Sequence, residues 1–187
     1  MNSRRAGSRL APWLLGAVLI STAAVPRGSA ETPAAGGLEV GKVSLAGLRL
    51  QDLDGKTVEL DSYLGKGPVV LDFWATWCKP CLAALPELNV LYADLEPRGL
   101  QLVGLNEDGA RNAAKVKPFV RTKGIRFPVL MDMNRDAQTR LNVQALPTTL
   151  LLDSTGRVVH TSFGYRPGEI GQLRARIEAL LDGGPKE

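Results

Sequence analysis

Val69-Val70-Leu71-Asp72-Phe73-Trp74-Ala75-Thr76-Trp77-Cys78-Lys79-Pro80-Cys81 passes from a nearly unbroken apolar run to two cysteines three residues apart. A run of this kind is what a strand buried on both faces of a sheet requires. Immediately after it, Leu82, Leu85, Leu88, Leu91, Tyr92 and Leu95 recur at intervals of three and four. This predicts a helix from about Lys79 to Leu95, bent at Pro86. The cysteines therefore stand where a strand turns into a helix. Side chains three apart on a helix share a face, about 5–6 Å apart at Cβ, near enough to close into a disulfide. The helix end carries roughly half a positive charge and free N–H groups, both of which stabilise a thiolate on Cys78, and Lys79 adds a cation. Thiolates so placed commonly have pKa values of about 3.5–7.5. Pro80 lacks an N–H in the first turn, where none is needed, and stiffens the loop.

Two other uses of the pair are weaker. As a staple, so short a loop contributes only about 2 kcal/mol by loop entropy. A structural metal site wants four ligands, and the chain has two Cys and one His. A CxxC between strand and helix is the setting of a redox motif. Asp72 sits inside the apolar run, where burial raises a carboxyl pKa. Six residues before Cys78, it is a candidate to exchange a proton with Cys81 through water; the alternative is a carboxylate satisfied by backbone donors or placed at a sheet edge. In Leu146-Pro147-Thr148 a proline heads an apolar strand, which marks an edge or a bend. From residue physics alone its peptide bond is expected trans, since only about 5–6% of X–Pro bonds are cis. His160, late in a hairpin strand with no second ligand nearby, reads as a partly exposed edge-strand residue.

Outward from this centre, strands and helices alternate. Residues 48–51 and 58–60 form a hairpin about the Asp54-Gly55 turn signal, and Asp61-Ser62 starts a short helical turn. A strand is expected over 101–106, a helix over 110–122 ending before Gly124, a strand over 129–131 and a helical turn over 135–141. A second hairpin spans 148–153 and 157–162. Ile170, Leu173, Ile177, Leu180 and Leu181 mark an amphipathic closing helix after Pro167. The pattern is an α/β fold, a sheet covered by helices on both faces.

The chain has 187 residues, 44% apolar and 22% charged, with a formal net charge of +4. Arg4, Arg5, Arg9 and Arg27 are the only charges before Glu31, and the other 19 basic residues balance 19 acidic ones. The basic excess is therefore no nucleic-acid footprint. It belongs instead to an export segment, in which a basic stretch precedes an apolar run over 10–25 and then Gly28-Ser29-Ala30. Expected divisions are a signal peptide or membrane anchor over 1–30, a linker over 31–46, the folded domain over 47–182 and a tail over 183–187. Export to the periplasm, or to the outer face of the cytoplasmic membrane, takes both cysteines out of the reducing cytosol.

The strand ending in Asp72, the WCKPC motif, Pro86 and Leu146-Pro147-Thr148 together resemble the thioredoxin fold. With an N-terminal β-hairpin and an inserted helix over 108–123, residues 40–182 resemble the exported TlpA/ResA-like thiol–disulfide oxidoreductases. The resemblance implies a central mixed sheet, Cys78 as attacking thiol, Cys81 as resolving thiol, Pro147 as a cis-proline facing the disulfide, and Asp72 as the buried acid of thioredoxins. Trp77, Lys79, Pro80 and Leu146 are then substrate contacts. The partners implied are protein thiols and disulfides such as those of apocytochrome c or copper proteins, with a membrane thiol transporter as electron donor. No cofactor, metal or nucleic acid is expected, and the chain is expected to be a monomer. One departure stands out: Ala84 occupies the position where ResA-like proteins have Glu, and Glu87 lies one turn further along. Competing readings are a thiol oxidant or isomerase, a redox-inert binding module, and a thiol peroxidase; the last wants Thr and Pro upstream of Cys78, where this chain has Ala75 and Phe73.

Overall fold

The computed structural model describes Gly41 and residues 43–183; the export segment and most of the linker and tail lie outside the described residues. In chain order the elements are β1 (Arg49–Asp52), β2 (Thr57–Glu59), β3 (Val69–Trp74), α1 (Lys79–Leu95), β4 (Gln101–Asn106), α2 (Ala113–Lys123), β5 (Val129–Met131), α3 (Asp136–Arg140), β6 (Thr148–Leu152), β7 (Val158–Phe163) and α4 (Glu169–Leu181). The strands make one mixed sheet in the order β2-β1-β5-β4-β3-β6-β7. β3 is parallel to β4 and antiparallel to β6, and all six of its residues are buried.

The period of two along β3 sorts its side chains between two cores. Val70 and Trp74 join Leu85, Leu88 and Leu91 of α1, Val116 and Val120 of α2, and Ile170, Leu173 and Ile177 of α4. Val69, Leu71 and Phe73 point to the other face, among Leu45, Leu48 and Leu60 and the residues around α3. Asp72 falls on the first face, beneath α1. That alternation is what places a carboxyl and the cysteine helix on the same side of the sheet. Among the described residues no helix is long and apolar enough to cross a membrane.

Three local expectations change. The connection between β1 and β2 is four residues rather than two, because the Asp52 carboxylate accepts the N–H groups of Asp54 and Lys56 at 2.8 and 2.9 Å and organises a wider turn. α2 begins at Ala113, since Gly109 has a left-handed φ of 71° and the chain turns through Asn112 first. The folded unit also starts before residue 47: Val158 donates its N–H to the Gly41 carbonyl, and Leu45 is buried. The hairpin itself joins the sheet through antiparallel pairing of β1 with β5.

Candidate active site

Cys78 occupies the N-cap of α1, and its Sγ accepts the Cys81 backbone N–H at 3.3 Å. The two cysteines form a disulfide with Cα atoms 5.3 Å apart. Pro80 lies in the first turn, where its missing N–H leaves no donor unmatched. In the reduced state, the helix end and the Cys81 N–H that now face the Cys78 sulfur would hold a thiolate there. Cys78 and Cys81 are both buried, whereas Trp77 is 61% exposed and Lys79 and Pro80 face solvent. The sulfurs thus sit in the floor of a surface whose rim is Trp77, Lys79 and Pro80.

Asp72 lies opposite Thr149 in the antiparallel register of β3 and β6, and the Thr149 hydroxyl donates to Oδ1 at 2.8 Å. Burial pushes its carboxyl up to about 6, with the Thr149 bond pulling the other way. The sheet-edge alternative does not apply, because β3 has a strand on either side.

The Leu146–Pro147 peptide bond is cis, contrary to the expectation from residue physics and in line with the resemblance. β6 is an interior strand, so Pro147 marks a bend at the strand head rather than an edge. Its carbonyl accepts the Gly164 N–H at 2.8 Å, tying the chain after β7 to this turn. Leu146 is half-buried and packs against both cores.

Sequence reasoning missed a polar cluster at the C-terminal end of β4. Asp108 accepts the Thr76 backbone N–H at 2.8 Å, the Thr76 hydroxyl at 2.5 Å and the Asn106 side-chain amide at 2.7 Å. It thereby pins the loop that carries Trp77 and Cys78. Beside it, Glu107 is buried with neither carboxyl oxygen hydrogen-bonded, and burial together with nearby Asp132 pushes its pKa far above the carboxylate range. The available signal was three polar residues, Asn106-Glu107-Asp108, closing an apolar parallel strand, which is where α/β sheets place functional groups.

Residues 43–161 match the AhpC/TSA family. The thiol-disulfide oxidoreductase ResA of Bacillus thuringiensis (strain Al Hakam) is 38% identical over 129 residues, which cover 69% of this chain and 72% of that one. The chain belongs to the AhpC/TSA family, among its ResA-like thiol–disulfide oxidoreductases. Solved structures agree with this placement. An uncharacterized thioredoxin-like protein from Porphyromonas gingivalis, 32% identical, superposes with a TM-score of 0.63 over 74% of this chain and 92% of that one. The DsbF structure from Mycobacterium tuberculosis, in mixed oxidized and reduced forms, is 26% identical with a TM-score of 0.64 over 74% and 98%. The fold is the thioredoxin-like one, and the class is that of thioredoxin-like protein-disulfide oxidoreductases.

Within this ResA-like chain, Ala84 is buried against the core and adds no charge near the sulfurs. Glu87 accepts a hydrogen bond from the Tyr165 hydroxyl, so it braces α1 against the segment after β7. His160 is half-buried on β7, the outer strand, and burial lowers its pKa. No group of three or more His, Cys, Asp or Glu among the described residues is placed to hold a metal ion.

Proposed function

We propose that this chain is an exported reductant of protein disulfides that works through Cys78 and Cys81. The observation that carries the proposal is the Cys78 sulfur at the N-cap of α1, facing the Cys81 N–H and bonded to the more enclosed Cys81. In the dithiol state the Cys78 thiolate attacks one sulfur of a partner disulfide. A mixed disulfide forms, and the partner's other sulfur leaves and takes up a proton. Cys81 then attacks the Cys78 sulfur, which releases the partner's second thiol and closes the intramolecular bond. Two electrons pass to the partner. Asp72, on the α1 face of β3, holds the proton that Cys81 gives up or regains. Trp77, Lys79, Pro80, Leu146 and Pro147 make the surface against which the partner chain lies.

Export is supported by the basic and apolar halves of residues 1–30, and the chemistry then requires an electron donor across the membrane, assigned to a thiol transporter. Apocytochrome c and copper-protein thiols are the partner classes that the resemblance supplies.

The experiment is trapping. Cys81→Ser should accumulate mixed disulfides with partners, because attack proceeds and escape does not, while Cys78→Ser should accumulate none. Equal trapping by both variants, or by neither, refutes the assigned roles. The direction follows from the reduction potential of the pair, expected nearer the about −270 mV of thioredoxin than the about −120 mV of a strong oxidant. N-terminal sequencing of fractionated cells should find a chain starting at Glu31, or a membrane-bound chain retaining residues 1–30; full-length chain in the soluble cytoplasm would overturn export.

A further inference from the structure

Arg111, Lys115, Lys117, Arg121, Lys123 and Arg126 fall within sixteen residues that contain no acidic side chain. Of the 23 basic residues, four precede Glu31 and six are here, so the remaining thirteen are set against all 19 acidic residues. The balanced charge of the chain beyond residue 30 is therefore segregated: formally +6 on this segment and −6 on the rest.

All six cations are exposed on or beside α2. Among the described residues only Lys117 has a carboxylate partner, Asp54 at the hairpin turn. Lys115 reaches no anion and donates to the Asn112 side chain at 3.1 Å, while Lys123 lies 5.8 Å from the Phe119 ring centre. Lys117 and Arg121 stand one turn apart, a like-charge spacing that destabilises a helix by about 0.2–0.5 kcal/mol. Arg121 and Lys123 lie in the last turn of α2, where the helix end favours cations, and Lys117 has Asp54; among the described residues Arg111, Lys115 and Arg126 have no carboxylate of this chain to answer them.

The segment is also tied to the strand and loop that lead into the redox motif. Arg111 follows three residues after Asp108, whose carboxylate pins Thr76 next to Trp77 and Cys78. Phe119 of α2 packs its ring 5.8 Å from that of Trp74, the last residue of β3. Between α2 and the hairpin lies an open cleft of about 750 Å³, lined by Leu53, Ala113, Ala114 and Pro118 together with Lys117, Arg121 and Thr122. A cleft whose lining mixes small apolar side chains with two cations suits a polypeptide segment with acidic side chains, whereas a flat lipid surface would leave it unfilled.

We propose that the α2 face docks the redox partner, and that this partner carries an acidic segment close to the disulfide it exchanges. The inference rests on the reading of Cys78 and Cys81 as an exchanging pair, and deepens it by naming the partner's chemistry. Complementary charge of this kind acts chiefly on the encounter rate and is screened by salt.

The test uses three synthetic peptides, each with one intramolecular disulfide, flanked respectively by Asp and Glu, by Ser, and by Lys and Arg. Each is mixed with the reduced full chain at ionic strengths of about 0.01 and 1 M. Within each protein, the rate for the neutral peptide is the reference. At low salt the acidic peptide should react about tenfold faster than the neutral one and the basic peptide more slowly, with the differences vanishing at high salt. The triple variant Lys115→Glu, Arg121→Glu, Lys123→Glu should lose the preference for the acidic peptide. Reduction of all three peptides at one rate at low salt, or an unchanged preference in the triple variant, overturns the docking proposal and leaves the exchange reading intact. No reduction of any peptide overturns both. Cosedimentation with phosphatidylglycerol vesicles that the triple variant loses, without discrimination among the peptides, overturns it in favour of a membrane contact.

Discussion

At the scale of the residue, Asp72 and Glu107 are two buried carboxyls with different consequences for pH. A carboxyl raised by burial contributes stability that is fully present below its unfolded pKa and is lost as pH rises through the folded value. For Asp72 that window runs from about 4 to about 6, and a two-unit shift corresponds to about 3 kcal/mol. Asp72→Asn keeps a group that can accept the Thr149 hydroxyl and removes the titration. Urea denaturation should therefore find the variant more stable at pH 8 by up to about 3 kcal/mol, with the gap closing toward pH 4. Resolution of the mixed disulfide should slow by roughly 10²-fold, the lower range for general acid–base catalysis. Stopped-flow exchange between pH 6 and 9 reads this, and wild-type rates with an unaltered pH profile would make Asp72 purely structural. Glu107 behaves differently, because its folded pKa near 9 keeps the window open from about 4.5 to 9. Glu107→Gln should add about 2–3 kcal/mol at pH 7, and the gain should go on growing between pH 6 and 9, where that of Asp72→Asn has levelled off. The burial of Asp72 was legible in its apolar neighbours. That of Glu107 was not, since a Glu at a strand end ordinarily reaches solvent.

At the scale of the element, β3, α1, β4 and β5 lie over the residues that periodicity predicts. Their cores are long enough, or apolar enough, for local pattern to decide. What periodicity does not report is how closely elements approach. A Cβ on Gly67, just before β3, would lie 2.2 Å from the Gly99 carbonyl oxygen, in the segment leading to β4. Backbone cannot yield there, so Gly67→Ala should lose at least about 3 kcal/mol or fail to fold. A Cβ on Gly104 in β4 would come 2.9 Å from the Trp74 indole nitrogen and 3.0 Å from the Phe127 ring. Those are side chains with some room to shift, so Gly104→Ala should lose about 1–3 kcal/mol and still fold. Thermal unfolding of the two variants, compared side by side, checks the order.

At the scale of the whole molecule, the domain is larger than its strongest sequence signals suggest. Leu45 is buried with Leu48 and Leu60, and the Gly41 carbonyl closes onto β7. A chain beginning at residue 47 should be less stable than one beginning at residue 41 by about 2–3 kcal/mol, the contribution of one buried leucine, as read by chemical denaturation. The glycine-, alanine- and proline-rich composition before residue 46 hid this, because one leucine without a period carries no pattern.

The amino-acid sequence by itself determined the strand–CxxC–helix unit, the burial of Asp72 and the alternation of the remaining elements. These rest on short-range physics: side-chain period, helix-end charge and turn chemistry act within a few residues. Tertiary structure alone decided that the hairpin pairs with β5, that Thr149 meets Asp72, and that Asp108 reaches across to Thr76. Each joins residues between 32 and about 80 positions apart. No local preference encodes such a meeting; it follows only when burial of both sheet faces selects one packing of the elements and brings the partners within hydrogen-bonding distance.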